Sequence, residues 1–205
     1  MTNAAQFWDR IARSYARRPV QNAEAYRETL DATRAHLSPH DKVLEIGCGT
    51  GSTALILAEH VAQITATDIS AEMIAIANEK SAPENVRFLQ AGAEAKVEGD
   101  TPLDAVLAFN TLHILDDPEA VIGRVFQALK PGGVFISKSA CLRDMNIFIR
   151  VMIRAMQMVG KAPAVSSFTS PELHAMFTRT GFEIVESRTF AGAGKLPFIV
   201  ARRPA

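Results

Sequence analysis

Between Val43 and Ser52 the chain reads Val-Leu-Glu-Ile-Gly-Cys-Gly-Thr-Gly-Ser, an apolar run ending in three glycines at alternate positions. Such a run predicts a strand that stops in a turn whose backbone adopts dihedrals closed to most side chains. A helix is expected to follow at once, over 52–60, and its N-terminus presents unpaired N–H groups. Bare turn and helix start together predict a nucleotide-like ligand lying across residues 47–51.

The rest of the chain alternates around this point. Helical spacing covers 4–15 and 22–37, separated by Pro19 and closed by Ser38-Pro39. Strands are predicted over 42–46, 63–67, 86–89, 104–109 and 134–137, with helices over 71–80 and 118–129 between them. Strands spaced by helices imply right-handed crossovers and a parallel sheet covered on both faces. After helices over 145–159 and 171–180, strands over 182–190 and 196–202 are joined by Ala-Gly-Ala-Gly. That connection is hairpin length, too short for a parallel crossover, so the sheet is expected to end in an antiparallel pair.

Composition narrows the function classes. At 205 residues the chain is long enough for one domain with a substantial core. Its 22 basic and 22 acidic residues balance, so no global field draws it to nucleic acid or an anionic surface. Cys48 and Cys141 sit far apart and match no metal spacing, so no metal is expected and both read as reduced thiols. Met1 to Arg18 has no apolar core of the signal-peptide kind, and no apolar run approaches bilayer length. The expectation is a cytoplasmic protein without a transmembrane segment. Oligomeric state leaves no mark on the sequence.

Glycine-rich turns serve many ligands, so spacing must discriminate. A phosphate-binding loop needs Gly-Lys-Ser/Thr, yet no lysine occurs between Lys42 and Lys80. The dinucleotide fingerprint G-x-G-x-x-G is also broken, since Ser52 stands where its last glycine belongs. Glu45, two residues before Gly47, would face a pyrophosphate poorly but suits a cationic ligand or loop amides. Asp68 follows Gly47 by 21 residues at the end of the second strand, where a carboxylate can accept both ribose hydroxyls. It serves equally well as a cap for the helix that begins at Ser70.

Val-Leu-Glu-Ile-Gly-Cys-Gly-Thr-Gly, Thr-Asp-Ile-Ser-Ala-Glu-Met-Ile, Phe-Asn-Thr-Leu-His-Ile-Leu and Leu-Lys-Pro-Gly-Gly follow one another in order between Val43 and Lys138. This series resembles the motifs of the class I S-adenosylmethionine-dependent methyltransferases. The resemblance implies a Rossmann-like α/β three-layer sandwich, its mostly parallel seven-stranded sheet carrying an antiparallel terminal strand. It implies a single domain over 1–205, with 1–38 as a helical lid and 140–170 as a helical insertion over the acceptor site. Gly47, Cys48, Gly49 and Gly51 would form the turn under the methionine part of S-adenosylmethionine, with Glu45 holding the loop or the amino group. Asp68 would bind ribose, Ile69 and Met73 would pack on adenine, and the Ala93 N–H would meet its edge. Asn110 would sit beside the methionine moiety, and Tyr15 would reach its carboxylate. Many relatives place an Asp before that alanine; here Gly92 stands there, leaving the adenine amino group to Glu94 or water.

The acceptor is expected to be a small molecule, apolar or amphipathic, with no nucleic acid. The Asn-Pro-Pro-Tyr kind of motif used on flipped bases is absent, the matching site reading Asn110-Thr-Leu-His113. His113 is the candidate general base, or else a histidine closing a strand end by hydrogen bonding. Asp116 and Asp117 are read as caps for the helix at Pro118. The segment 145–159 carries four methionines with Phe148, Arg150 and Arg154. Three roles stand open for it: a cover over the acceptor, a core-facing amphipathic helix, or a surface for a membrane or partner. Two other functions compete with methyl transfer: cofactor binding without catalysis, and NAD-dependent oxidoreduction. Neither tyrosine is followed four residues on by the lysine a short-chain dehydrogenase requires.

Overall fold

The computed structural model describes residues 3–20, 22–95, 102–191 and 195–205. Two helices lead, α1 (Asn3–Ala16) and α2 (Ala23–Arg34). Then come β1 (Lys42–Ile46), α3 (Ser52–Leu57), β2 (Gln63–Asp68), α4 (Ala71–Asn78), β3 (Val86–Gln90) and β4 (Leu103–Phe109). The second half runs α5 (Pro118–Ala128), β5 (Leu129–Lys138), α6 (Ile147–Met158), α7 (Ser170–Arg179), β6 (Glu183–Arg188) and β7 (Phe198–Arg202). Seven strands form one sheet in the order β3-β2-β1-β4-β5-β7-β6. The first five are parallel, while β7 lies antiparallel to both β5 and β6. The predicted sheet and its terminal antiparallel pair are therefore present. Of the Ala-Gly-Ala-Gly connection only Ala191 lies within the described residues.

Burial explains why the strands read as they do. Ala105, Val106, Leu107 and Ala108 of β4 are all fully buried, as a central strand covered on both faces requires. On one face Ala25 and Leu30 of α2, Leu57 of α3 and Ala77 of α4 pack over Ile64, Leu107 and Ile136. On the other, Ile122 of α5 with Leu173 and Phe177 of α7 cover Val106, Phe135 and Ile199. The chain winds outward from β1 to β3, then returns to place β4 on the other side of β1. Strand order thus reverses between β1 and β4, and the crevice at their carboxyl ends is where ligands bind in such sheets.

Two elements depart from the sequence reading. The helix after the glycine turn stays α-helical only to Leu57 and tightens into a 3₁₀ turn over Ala58–His60. Lys130-Pro131-Gly132-Gly133 is not a loop outside β5 but an irregularity within it, between the pairings Leu103↔Leu129 and Ala105↔Val134. The Gly132 N–H donates to the Arg203 carbonyl at 2.8 Å, which keeps this stretch attached to the C-terminal segment.

Candidate active site

The glycine turn closes on itself before it can receive anything. The Cys48 N–H donates to the Thr67 carbonyl at 2.9 Å and the Gly51 N–H to the Cys48 carbonyl at 3.0 Å. Gly47, Gly49 and Gly51 have φ of +70°, +54° and +77°, so each needs the left-handed freedom of glycine. They serve different neighbours. A Cβ on Gly47 would lie 2.4 Å from Thr111 Oγ1, and one on Gly51 would lie 2.5 Å from the Phe88 ring. Those two glycines let β4 and β3 approach the turn. A Cβ on Gly49 would meet only the Tyr15 ring at 3.9 Å, so this is the glycine that leaves space open. Gly51→Ala combines backbone strain with overpacking and is expected to cost about 2–4 kcal/mol of stability. An unchanged urea midpoint would refute that packing.

Two carboxylates sit under the turn. Asp68 ends β2 with Oδ2 accepting from the Gly49 N–H and Oδ1 from the Ser70 N–H, both at 2.9 Å. Burial raises its pKa, against the pull of those two amides. Glu45 is 2% exposed, and its Oε2 has no hydrogen-bond partner. Burial, then repulsion from Asp68, raises its pKa to about 8; the Ala54 N–H at the start of α3 offsets this only in part. A buried, unpartnered carboxyl oxygen costs free energy unless something completes it. A cationic amine brought to Oε2 would do so.

Asn110 follows β4 with φ of +57°, the only positive value outside glycine among the described residues. Its N–H donates to the Lys138 carbonyl at 2.7 Å, so β5 holds this strained residue at the mouth of the crevice. Thr111 is buried and donates through Oγ1 to the carbonyls of Ile46 and Phe109, each at 3.1 Å, tying the ends of β1 and β4 together. The sequence reading passed it over, although it stands inside the Asn-Thr-Leu-His stretch. His113 is half-buried, and burial lowers its pKa to about 4. The Ala140 N–H points at its Nδ1 at 3.4 Å, so the ring proton is assigned to Nε2. Asp117, as expected, caps α5 by accepting from the Ala120 N–H at 2.9 Å.

The outer wall is α1. It docks through Ala5, Trp8 and Ala12, while Phe7 and Ile11 are half-buried and Tyr15 is exposed. Met73 belongs to that contact: it is buried with Ala12 and Ile76 under Trp8, so α1 covers the position assigned to adenine packing. Asp9 Oδ1 accepts from Ser70 Oγ at 2.6 Å and from the Glu72 N–H at 3.1 Å, latching α1 to the start of α4 beside Asp68. Tyr15 is left 45% exposed over Gly49. Lys80 braces the turn from outside, Nζ donating to the Thr50 carbonyl at 2.6 Å and to Ser52 Oγ at 2.9 Å. Neither Asp9 nor Lys80 is recognisable from the sequence, since each acts on residues far along the chain. Ile69 follows Asp68 directly, half-buried, and Ala93 lies in a turn after β3, packed against the α5 side. Glu94 Oε1 stands 2.7 Å from where a Cβ on Gly92 would be. Cys48 and Cys141 are buried with thiol pKa values raised by burial, that of Cys141 to about 11, so neither is a nucleophile. Among the described residues no group of His, Cys, Asp and Glu is arranged to hold a metal ion.

This constellation fits S-adenosylmethionine: an orphaned acidic oxygen, an open glycine facing a tyrosine, and a carboxylate at the end of β2. Known proteins agree. The profile of a methyltransferase domain family matches residues 14–187. Over 139 residues the chain is 32% identical to the ubiquinone biosynthesis O-methyltransferase of Pseudomonas fluorescens (strain Pf0-1), covering 65% of this chain and 58% of that one. Over 113 residues it is 33% identical to the tRNA 5-carboxymethoxyuridine methyltransferase of Escherichia coli (strain K12), covering 52% and 43%. The chain thus spans about half the length of the curated relatives it matches. Among solved structures, magnesium protoporphyrin IX methyltransferase from Synechocystis PCC 6803 with bound SAH superposes with a TM-score of 0.71 at 19% identity, over 98% and 95% of the chains. The [4+2]-cyclase SpnF superposes with a TM-score of 0.77 at 20% identity, over the same shares. These last two likenesses concern the fold. Motif order, sheet topology and the family match converge: the chain belongs to the class I S-adenosylmethionine-dependent methyltransferases.

Proposed function

We propose that this chain transfers a methyl group from S-adenosylmethionine to a small acceptor of apolar or amphipathic character. The observation that carries the donor half is the buried, unpartnered Glu45 Oε2 in the strand that leads into the glycine turn. When bound, the cofactor supplies an electrophilic methyl group open to in-line displacement. The chain's own residues bind and orient. Glu45 would take the amino group, Asp68 the ribose hydroxyls, Ile69 and the Ala93 N–H the adenine, and Asn110 the methionine end, under Tyr15. The acceptor would approach from the carboxyl ends of β4 and β5, past Asn110 and His113.

His113 is placed to position an acceptor rather than to deprotonate it. With Nδ1 facing the Ala140 N–H, its other nitrogen carries a proton and donates. A base of pKa about 4 also has little driving force at neutral pH. An acceptor that ionises by itself, or whose nucleophilic atom carries no acidic proton, suits this site. A small acceptor also accords with the balanced charge of the chain, 22 basic against 22 acidic residues. Nucleic-acid binding draws on an excess of cations.

Two measurements test the reading. Calorimetry should show micromolar binding of S-adenosylhomocysteine and none of NAD; the reverse would sink it. Isotopic methyl transfer into metabolite extracts should label an organic-soluble product, whereas label confined to RNA would replace the small acceptor with a nucleic acid. Binding without any labelled product would favour a cofactor-binding role. With an acceptor in hand, kcat/KM should show no ionisation near pH 6.5 from His113, and His113→Gln should retain the same pH profile. Loss of a limb near that pH in the variant would restore the histidine as a base.

A further inference from the structure

Helix α6 lies on the surface with most of its apolar side chains in solvent. Its 12 residues include no buried side chain. Ile153 is half-buried between Arg150 and Gln157, with Ile149 41% and Met156 37% exposed beside it, so a mixed side leans on the protein body. The opposite side carries Ile147, Val151 and Met152 in solvent, with Phe148 79% and Met158 90% exposed. A contiguous apolar face of this kind, on a well-formed helix capped by Asn146, marks an interaction surface.

Charge decides what would cover it. From Met145 to Pro171 the sequence contains no Asp or Glu, but it contains Arg150, Arg154 and Lys161, in a chain whose 22 basic and 22 acidic residues balance overall. None of these three forms an ion pair among the described residues. A second copy docked on α6 would bring two such cationic segments together without a carboxylate between them. A phosphate-bearing lipid surface supplies both missing halves, acyl chains for the apolar face and anionic headgroups for the exposed Arg154 and Lys161. The α6 end is also joined to the active-site wall, because the Arg10 guanidinium donates to the Gly160 carbonyl at 2.7 Å.

We propose that α6 is an interfacial anchor which lays Phe148, Met152 and their neighbours into the surface of an anionic bilayer, with the exposed Arg154 and Lys161 reaching its phosphates. The chain then sits peripherally; no described helix is long and apolar enough to cross a membrane. Binding requires neither cofactor nor turnover, so this inference stands or falls apart from the methyl-transfer reading.

Flotation of the chain with lipid vesicles tests it. Vesicles containing phosphatidylglycerol are expected to carry the chain upward, and pure phosphatidylcholine vesicles to bind at least about tenfold more weakly. Phe148→Asp should reduce binding to phosphatidylglycerol by about tenfold or more. Its circular dichroism and thermal midpoint should stay unchanged, because the side chain supports no packing. Arg154→Gln with Lys161→Gln should weaken binding to phosphatidylglycerol by about tenfold while leaving the weak binding to phosphatidylcholine as it was. The proposal is overturned if the chain floats with neither vesicle or if Phe148→Asp binds as tightly as the parent. It is equally overturned if light scattering finds a dimer that Phe148→Asp dissociates, since a second copy would then cover the face.

Discussion

Asp68→Ala is expected to weaken binding of S-adenosylhomocysteine by about 1.5–3 kcal/mol, roughly 10- to 150-fold in Kd. The estimate is that of charge-assisted hydrogen bonds to the ribose hydroxyls, and the structure adds a reason for the upper end. Asp68 Oδ2 and Oδ1 hold the N–H groups of Gly49 and Ser70. Removing the carboxylate therefore frees the very glycine that faces the open space, together with the residue that Asp9 uses to latch α1. Asp68→Asn offers a single acceptor oxygen and should fall between the parent and alanine. Titration calorimetry on the three proteins measures this, with circular dichroism to confirm the fold. Equal affinity across the series would remove Asp68 from the cofactor site. The same variant has a second expected consequence: repulsion from Asp68 is one of the causes raising the Glu45 pKa, so that carboxyl should titrate lower in Asp68→Ala.

How far the sequence reaches is clearest at the glycine turn. That residues 47, 49 and 51 need positive φ follows from glycine at alternate positions after an apolar strand. What each glycine is for does not follow. Phe88 and Thr111, which fill the space beside Gly51 and Gly47, come from strands laid down later in the chain. The sheet was legible because its central strands are buried on both faces and therefore read as unbroken apolar runs. The Lys130–Gly133 stretch was misjudged because proline and glycine usually punctuate, whereas here bonds to Arg203 keep the segment within β5.

Side-chain direction was the harder matter. Helical spacing revealed that 145–159 is amphipathic, but it does not reveal which side meets the protein. In the fold α6 buries none of its residues, which excludes the core-facing alternative. Likewise, periodicity in α1 is shared by the Phe7-Ile11-Tyr15 row and by the small residues Ala5 and Ala12. The small residues win because they let α1 approach α4 closely while Asp9 reaches Ser70. For His113, residue type pointed to a base; desolvation, which no local pattern reports, makes it a weak one.

Desolvation also sets the behaviour of Glu45, and Glu45→Gln should separate cofactor recognition from stability. The folded pKa of about 8 lies above the ordinary 4.5, so the folded chain holds a proton that the unfolded chain releases between those pH values. The contribution of Glu45 to stability is therefore complete below about pH 4.5 and declines as pH rises through 8. Glutamine never ionises, so relative to the parent the variant should gain about 2–5 kcal/mol between pH 4.5 and 9 in urea unfolding. Cofactor binding should move the other way. If a cationic amine completes Oε2, Glu45 must release its proton as the ligand arrives. Between pH 6 and 7.5 the parent should then bind S-adenosylhomocysteine more tightly by nearly tenfold per pH unit, releasing close to one proton per ligand. Glu45→Gln should bind more weakly, with no proton release and a flat pH dependence. Calorimetry in buffers of different ionisation enthalpy counts the proton directly. Equal proton release in parent and variant would show that the amine lies elsewhere, leaving Glu45 to brace the start of α3 through the Ala54 N–H alone.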